Sequence, residues 1–477
     1  MKLLEPLNIQ GMIVPNRIMV PAMVTRLASE DGFVTDEIFD RYVRYAEGET
    51  GLIVVEAMAI HQSKSGPLLR ISDDKFIPGL KRMTDRIHEV SDSMVVPQII
   101  HFLKVARSGW RQTLDMLSPE DIEQIIEEFG DAVLRAKKAG FDGAELHSAH
   151  AYTLASFMTR TNPRDDEYGG KSIESRVRMI GRVMENVRKK VGPDFPVGIR
   201  FLADEFIKDG TTIDESKLIA LRLAQLGFAY LSVSVGGKFE DAIHKEGHVP
   251  YPYTGYSGDR CMPGDWYPPM LHVHLAAEIK KFIKSKGYDT PVIVAGKISE
   301  PDDARQVIES GEVDMVAIAR GLLADPDFAK KIRLQEEDRI VKCDYCNVCK
   351  ALDGAHKPVH CFLWPKEATQ APKYETDAAA PFWGEKGANL KVELDDNGAA
   401  KLSWSKAENK PTRYDIYRTA DDGQIVVIDA VKTTKKTDGS VLGGINYRYY
   451  VRACNEKGDS SGPSNVVEFK PVVPTFY

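Results

Sequence analysis

The sequence predicts an α/β fold, a (β/α)8 TIM barrel followed by a four-cysteine segment and a small all-β sandwich. Three observations carry that reading. Eight apolar β-type runs alternate with helical patterns through residue 340, four cysteines crowd into residues 343–361, and short alternating strands begin at Asn389.

The runs come in order along the chain. They are "RIMVPAM" from Arg17, "LIVVEAM" from Leu52, "MVVPQII" from Met94 and "GAELHS" from Gly143. "PVGIRF" from Pro196, "YLSVSVGG" from Tyr230, "PVIVAGK" from Pro291 and "DMVAIAR" from Asp314 complete the set. Between them, "SPEDIEQIIEEFGDAVLRAKKAG" has Ser118 as N-cap, Pro119 in the first turn and Gly140 at its end. "IESRVRMIGRVMENVRKKVG" and "PPMLHVHLAAEIKKFIKSKG" share the helical period and also end in glycine. Near-continuous apolar strands imply a parallel sheet covered by helices, and eight strands close a barrel. An open, doubly wound sheet is the competing topology.

The domain boundaries follow. Residues 1–340 form the barrel, 341–364 the cysteine segment, 365–388 a Pro/Ala-rich irregular linker and 389–477 the sandwich. Trp404 and Tyr447–Tyr449 resemble the core tryptophan and tyrosine corner of a fibronectin type III domain. Such a module serves either docking or support of the barrel.

Bulk properties exclude several classes. The net charge of −7, with lysines and acids interleaved, gives no reason to expect nucleic acid. No apolar run approaches the roughly 18 residues of a membrane span. "MKLLEPLNIQGMIVPNRI" lacks a signal-peptide pattern, so a cytoplasmic location is expected. Cys261 and Cys454 stand alone, which is no disulfide framework; the clustered thiols point to metal in a reducing compartment.

Active sites of such barrels lie at the C-terminal ends of the strands. There the third run presents Gln98 and His101, the fourth His147, His150 and Tyr152, and the fifth Arg200. Gly296-Lys297 and Ala319-Arg320-Gly321 close the last two runs, where glycine and a cation commonly hold phosphate. The two histidines, with His101, could ligate zinc; alternatively they donate hydrogen bonds to a substrate carbonyl while Tyr152 delivers a proton. The long connection after the sixth run is aromatic, with Phe239, Tyr251, Tyr253, Tyr256, Trp266 and Tyr267, and reads as a lid. No G-x-G-x-x-G motif signals a dinucleotide domain.

"VPNRIMVPAM", "GLIVVEAMAI", "VPQIIHF", "GFDGAELHSAHAYTLASFMTRTNPRDDEYGGKSIESRVRMI", "VIVAGKI" and "MVAIARGLLADPDF" resemble the Old Yellow Enzyme family of FMN-dependent ene-reductases. Cysteines directly after the barrel resemble its iron–sulfur branch, which includes 2,4-dienoyl-CoA reductase and trimethylamine dehydrogenase. The resemblance implies that Pro21, Ala22, Met23 and Ala57 lie against the flavin. It implies that Gln98 bonds the pyrimidine edge, that Arg200 sits beside N1/O2, and that Gly296, Lys297, Ala319 and Arg320 hold the phosphate. His147 and His150 would grip the substrate's oxygen, and Tyr152 would protonate the carbon α to it. Three departures stand out. The family's proline often comes one position later, Ala151 replaces a usual glycine, and the sandwich follows where the branch carries an FAD/NAD(P)H module.

Cys343, Cys346, Cys349 and Cys361, spaced C-x2-C-x2-C-x11-C, supply the thiolates of a [4Fe–4S] cluster; a structural zinc site is the alternative. The implied activity is reduction of an α,β-unsaturated carbonyl compound. Electrons would come from an external donor, whether a ferredoxin-like protein, a partner subunit or NAD(P)H. An amine dehydrogenase sending electrons out through the cluster is the second reading, and a homo-oligomer is allowed.

Overall fold

The computed structural model describes residues 2–61, 66–104, 112–236, 260–366, 368–374, 381–384, 386–421, 425–456 and 460–472. A hairpin of β1 (Leu7–Ile9) and β2 (Met12–Val14) opens the chain. Eight parallel strands then close into a barrel: β3 (Ile18–Val20), β4 (Leu52–Ala59), β5 (Met94–Ile100), β6 (Ala144–Ser148), β7 (Val197–Leu202), β8 (Leu231–Ser234), β9 (Val292–Ala295) and β10 (Met315–Ala317). They correspond one for one to the eight apolar runs, and the open-sheet alternative is excluded by the pairing of β10 with β3.

Helices α1 (Asp36–Glu47), α2 (Ile77–Val90), α3 (Pro119–Lys138), α4 (Thr153–Met158), α5 (Ile173–Val191) and α6 (Ile213–Gln225) follow strands β3 to β7. Next come α7 (Val273–Ser285), α8 (Pro301–Glu309), α9 (Arg320–Ala324), α10 (Phe328–Leu334) and α11 (Val348–Gly354). The caps explain the boundaries. Ser118 and Asp121 form a reciprocal capping box on α3, and Gly192 ends α5 at φ +84°. None of the described helices is long and apolar enough to cross a membrane.

Two apolar cores hold the barrel. One lies between strands and helices, with Ile53, Val95, Phe129 and Ile180 among its buried members. The other fills the barrel's N-terminal end, where Ile9, Met12 and Val14 of the hairpin pack on Met19, Leu52, Val54 and Tyr230. The sequence reading missed this plug. Its signal was Gln10-Gly11, at φ +49° and +89°, the left-handed pair that a tight two-residue hairpin turn requires.

The C-terminal unit has two antiparallel sheets. One is β11 (Lys391–Leu394), β12 (Ala400–Ser403) and β15 (Lys435–Asp438); the other is β14 (Ile425–Val431), β13 (Arg413–Thr419), β16 (Tyr447–Cys454) and β17 (Val467–Phe469). Trp404, Tyr414, Ile416 and Tyr449 are buried between them, and the Tyr447 hydroxyl accepts the Leu442 N–H at 2.9 Å. Arg452 of β16 forms an ion pair with Asp92, in the turn that enters β5. The sandwich therefore contacts the barrel at its N-terminal end, opposite the strand ends where the site lies.

The connection between cysteines and sandwich carries no helix or strand among its described residues, yet it is tied to the barrel. Trp364 Nε1 donates to the Leu323 carbonyl at 3.1 Å, and Arg44 donates to the carbonyl of Pro372 at 3.0 Å. Tyr374 receives the Arg339 guanidinium 4.3 Å above its ring.

Candidate active site

All thirteen residues that the sequence assigned to cofactor or catalytic roles line one cavity at the C-terminal strand ends. They fall into a pocket floor, a polar edge, a cationic end and a histidine–tyrosine corner. Pro21, Ala22 and Met23 arrive on the loop after β3, and Ala57 comes from β4, which bulges between Val55 and Met58.

The polar edge is built by strand register. Gln98 pairs with Glu145, and His147 pairs with Arg200. Gln98 Nε2 donates to Glu145 Oε1 at 2.7 Å, and the Tyr230 hydroxyl donates to Oε2 at 3.1 Å. Arg200 donates to the hydroxyls of Ser232 and Ser234 at 3.1 and 3.2 Å. Burial raises the Glu145 pKa above the usual carboxylate range, while Arg200 opposes that shift. The sequence reading missed Glu145, Tyr230 and Gly198. A Cβ at Gly198 would come within 2.1 Å of the Tyr230 ring, so glycine is what lets the tyrosine reach Glu145. The available signal was a lone acid inside an otherwise apolar strand.

His147 occupies the corner, its ring centroid 5.1 Å from both His150 and Tyr152. It is buried, and its Nδ1 has no hydrogen-bond partner among the described residues. His150 Nε2 lies 2.8 Å from Ser234 Oγ and 3.0 Å from Cys261 Sγ. Burial drives both imidazole pKa values down, that of His150 to about 3, and the Arg200 charge adds to the shift. Both rings are thus neutral hydrogen-bonding groups. His101 stands outside the cavity, with Nδ1 2.8 Å from Thr153 Oγ1. Among the described residues no three His, Cys, Asp or Glu side chains close on a single ion position, so the reading of these three histidines as a zinc site is set aside.

Two cations mark the far end. Lys297 Nζ and the Arg320 guanidinium lie 4.5 and 4.8 Å over the ring of Tyr345, a residue of the cysteine segment. Lys297 donates to the Asp265 carbonyl at 2.9 Å and Arg320 to the Pro263 carbonyl at 2.7 Å. Burial and the Arg320 charge both lower the Lys297 pKa. Gly296 has φ +137°, and a Cβ there would meet His272 at 2.5 Å. Paired cations beside a glycine backbone are the donor set an anionic phosphate needs, and the orphaned His147 nitrogen asks for a polar ligand. These residues fit a phosphate-bearing flavin.

Cys343, Cys349 and Cys361 are half-buried, Cys346 is exposed, and only Cys349 reaches the cavity. Burial, and then the other three thiols, push the Cys361 pKa up to about 11. Of the expected lid, Phe239, Tyr251, Tyr253 and Tyr256 fall outside the described residues; Tyr267 is buried and Trp266 is exposed.

Residues 2–245 and 269–339 match the NADH:flavin oxidoreductase / NADH oxidase family. The chain belongs to that family. The Old Yellow Enzyme likeness of its motifs agrees with that membership. The chain is 36% identical over 362 residues to an NADH oxidase of Thermoanaerobacter brockii, a match covering 72% of this chain and 52% of the relative. It is 30% identical to the N,N-dimethylglycine/sarcosine dehydrogenase of Chromohalobacter salexigens, over 73% of this chain and 50% of that protein. With the cinnamate reductase of Clostridium sporogenes it shares 29% identity over 72% of this chain and 54% of the relative. The chain thus spans about half the length of these relatives.

Proposed function

We propose that this flavin oxidoreductase binds FMN in the barrel-mouth cavity and a [4Fe–4S] cluster on Cys343, Cys346, Cys349 and Cys361, and that it reduces the activated C=C bond of an α,β-unsaturated carbonyl compound. The observation that carries the substrate class is the neutral pair His147 and His150 beside Tyr152, with His147 Nδ1 buried and unpartnered among the described residues.

Lys297 and Arg320 would hold the FMN phosphate, with the Gly296 and Ala319 backbone beside it. Gln98 and Arg200 would meet the pyrimidine edge, and Pro21, Ala22, Met23 and Ala57 would lie along the ring. Bound FMN supplies a hydride at N5. The chain's own residues do the rest. His147 and His150 donate hydrogen bonds to the substrate carbonyl oxygen, where negative charge develops as hydride adds to the β-carbon. As neutral imidazoles they act as directional donors, and so favour the developing oxyanion over an ion-pairing anion. Tyr152 holds the proton destined for the α-carbon.

The thiol set suits a cluster better than zinc. Zinc draws four sulfurs to about 2.3 Å from one point. The support for a cubane is the spacing, three thiols two residues apart with a fourth further along the chain, which supplies one thiolate for each iron. When bound, the cluster would supply a one-electron relay from an external donor.

The dehydrogenase relative supports a second reading, oxidation of an N-methylated amine. The two readings are separated by a panel of enoates and tertiary amines tested anaerobically against flavin absorbance. Re-oxidation of the reduced flavin by enoates, lost in Tyr152→Phe while flavin binding persists, is the expected result. Bleaching of oxidised flavin by amines, with no response to enoates, would replace this proposal by the second reading.

A further inference from the structure

Glu56 is fully buried on β4, next in the chain to Ala57, which lines the cavity. Its Oε2 accepts the Thr25 N–H at 3.0 Å and the Tyr42 hydroxyl at 3.4 Å. Its Oε1 has no hydrogen-bond partner among the described residues. A buried carboxylate oxygen without a donor costs several times what a hydrogen-bonded one does, unless it carries a proton or meets a water. Thr25 and Tyr42 also line a water-sized void, along with Pro21 and Met23 of the main cavity.

Among the described residues the surroundings offer one cation and three hydroxyl-bearing side chains. Helix α1 presents Arg41, Tyr42 and Tyr45 to this acid, and the loop after β3 presents Thr25. Arg41 is engaged through Nη2, which donates to the Val359 carbonyl at 3.0 Å and to the Thr369 carbonyl at 3.3 Å, and it lies over Trp364, while its buried Nε has no hydrogen-bond partner among the described residues. Val359 and Trp364 flank Cys361. Arg41 thus ties the acid's surroundings to the cysteine segment. Burial outweighs the Thr25 bonds and the Arg41 charge, and pushes its pKa up to about 7.

We infer that Glu56 is a proton-accepting site coupled to the arrival of electrons in the adjoining cavity. This rests on the FMN reading given above. A hydride from a reduced nicotinamide, or an electron pair with one proton from a one-electron carrier, leaves one net negative charge in the cavity. The Glu56 carboxylate then takes one proton from water, forming an O–H bond at Oε1. It releases that proton when the hydride leaves for the alkene. A carboxylate that served only to hold Thr25 and Tyr42 in place would exchange no proton with the redox state.

The test is the two-electron midpoint potential of the FMN-loaded protein against pH, in wild type and Glu56→Gln. Each proton taken up with the pair lowers the potential by about 30 mV per pH unit. The wild type is expected to steepen by one proton above pH 7, where Glu56 starts out ionised, and the variant is expected to show no such break. An unchanged break in Glu56→Gln overturns the inference alone. A chain that takes up no flavin overturns the FMN reading and this inference together. Infrared difference spectra of the wild type read the same event directly. Reduction above pH 7 should add a protonated-carboxyl band, and its absence overturns the inference even where the variant fails to fold.

Discussion

His147 on β6 and Arg200 on β7 are register partners in the barrel wall, and that pairing sets a guanidinium beside an already desolvated imidazole. The result is a histidine pair held neutral by burial first and by like charge second. The pH dependence follows from this. An unperturbed imidazole titrates near 6.5, so kcat/KM for an enoate is expected to show no histidine inflection between about pH 5 and 8. An inflection near 6.5, removed by His150→Asn, would contradict the neutral-donor role.

The same depressed pKa has a stability consequence. The unfolded chain protonates His150 below about 6.5, while the folded chain does so only near 3. The contribution of His150 is therefore fully present above 6.5 and is lost as pH falls toward 3. Each pH unit in that window costs at most about 1.4 kcal/mol. Thermal denaturation at pH 7 and pH 5 should show a larger acid loss in wild type than in His150→Asn.

Ala151 follows His150 in the left-handed region, at φ +62° after +55°. The sequence shows only that alanine stands in place of the family's glycine; the backbone makes the replacement a strained one. Ala151→Gly is expected to stabilise the protein by about 0.5–1 kcal/mol, the relief of strain exceeding the entropy glycine adds to the unfolded chain. The denaturant midpoint measures it, and a lower midpoint would mean that the turn prefers a side chain.

Gly198→Ala drives a methyl into Tyr230 and so disturbs Glu145 and Gln98 behind the cavity. Overpacking of this kind costs about 1–3 kcal/mol. The variant should also retain less flavin after gel filtration than wild type. Full retention would separate Tyr230 from the site.

Arg452 and Asp92 join the sandwich to the barrel's closed end. Arg452→Ala is expected to lose about 1.5–3 kcal/mol of interface stability, as for other charged hydrogen bonds. The sandwich should then unfold or be cut by protease ahead of the barrel. Enoate turnover should stay near wild type, because the contact lies opposite the cavity.

Much of this was legible in the sequence, for identifiable reasons. Strand runs and glycine-ended helices mark local periodicity, and the strand-end rule gathered Gln98, His147, Arg200 and Lys297 into one cavity before any coordinates. What escaped depends on packing across the sheet. Glu145 acquires meaning only from its register partner Gln98 and from Tyr230 two strands away. Tyr345 looked like a residue between cysteines, yet it lies beneath both cations. The hairpin plug was passed over because two three-residue strands give almost no periodic signal, although its Gln-Gly turn does.

The central claim, a flavin and a four-iron cluster in one chain, is tested most directly by composition. Iron, acid-labile sulfide, zinc and flavin should be measured on a single anaerobically purified sample. The account predicts about four irons and four sulfides for each FMN. Zinc without sulfide, or a protein that holds no flavin, would contradict it.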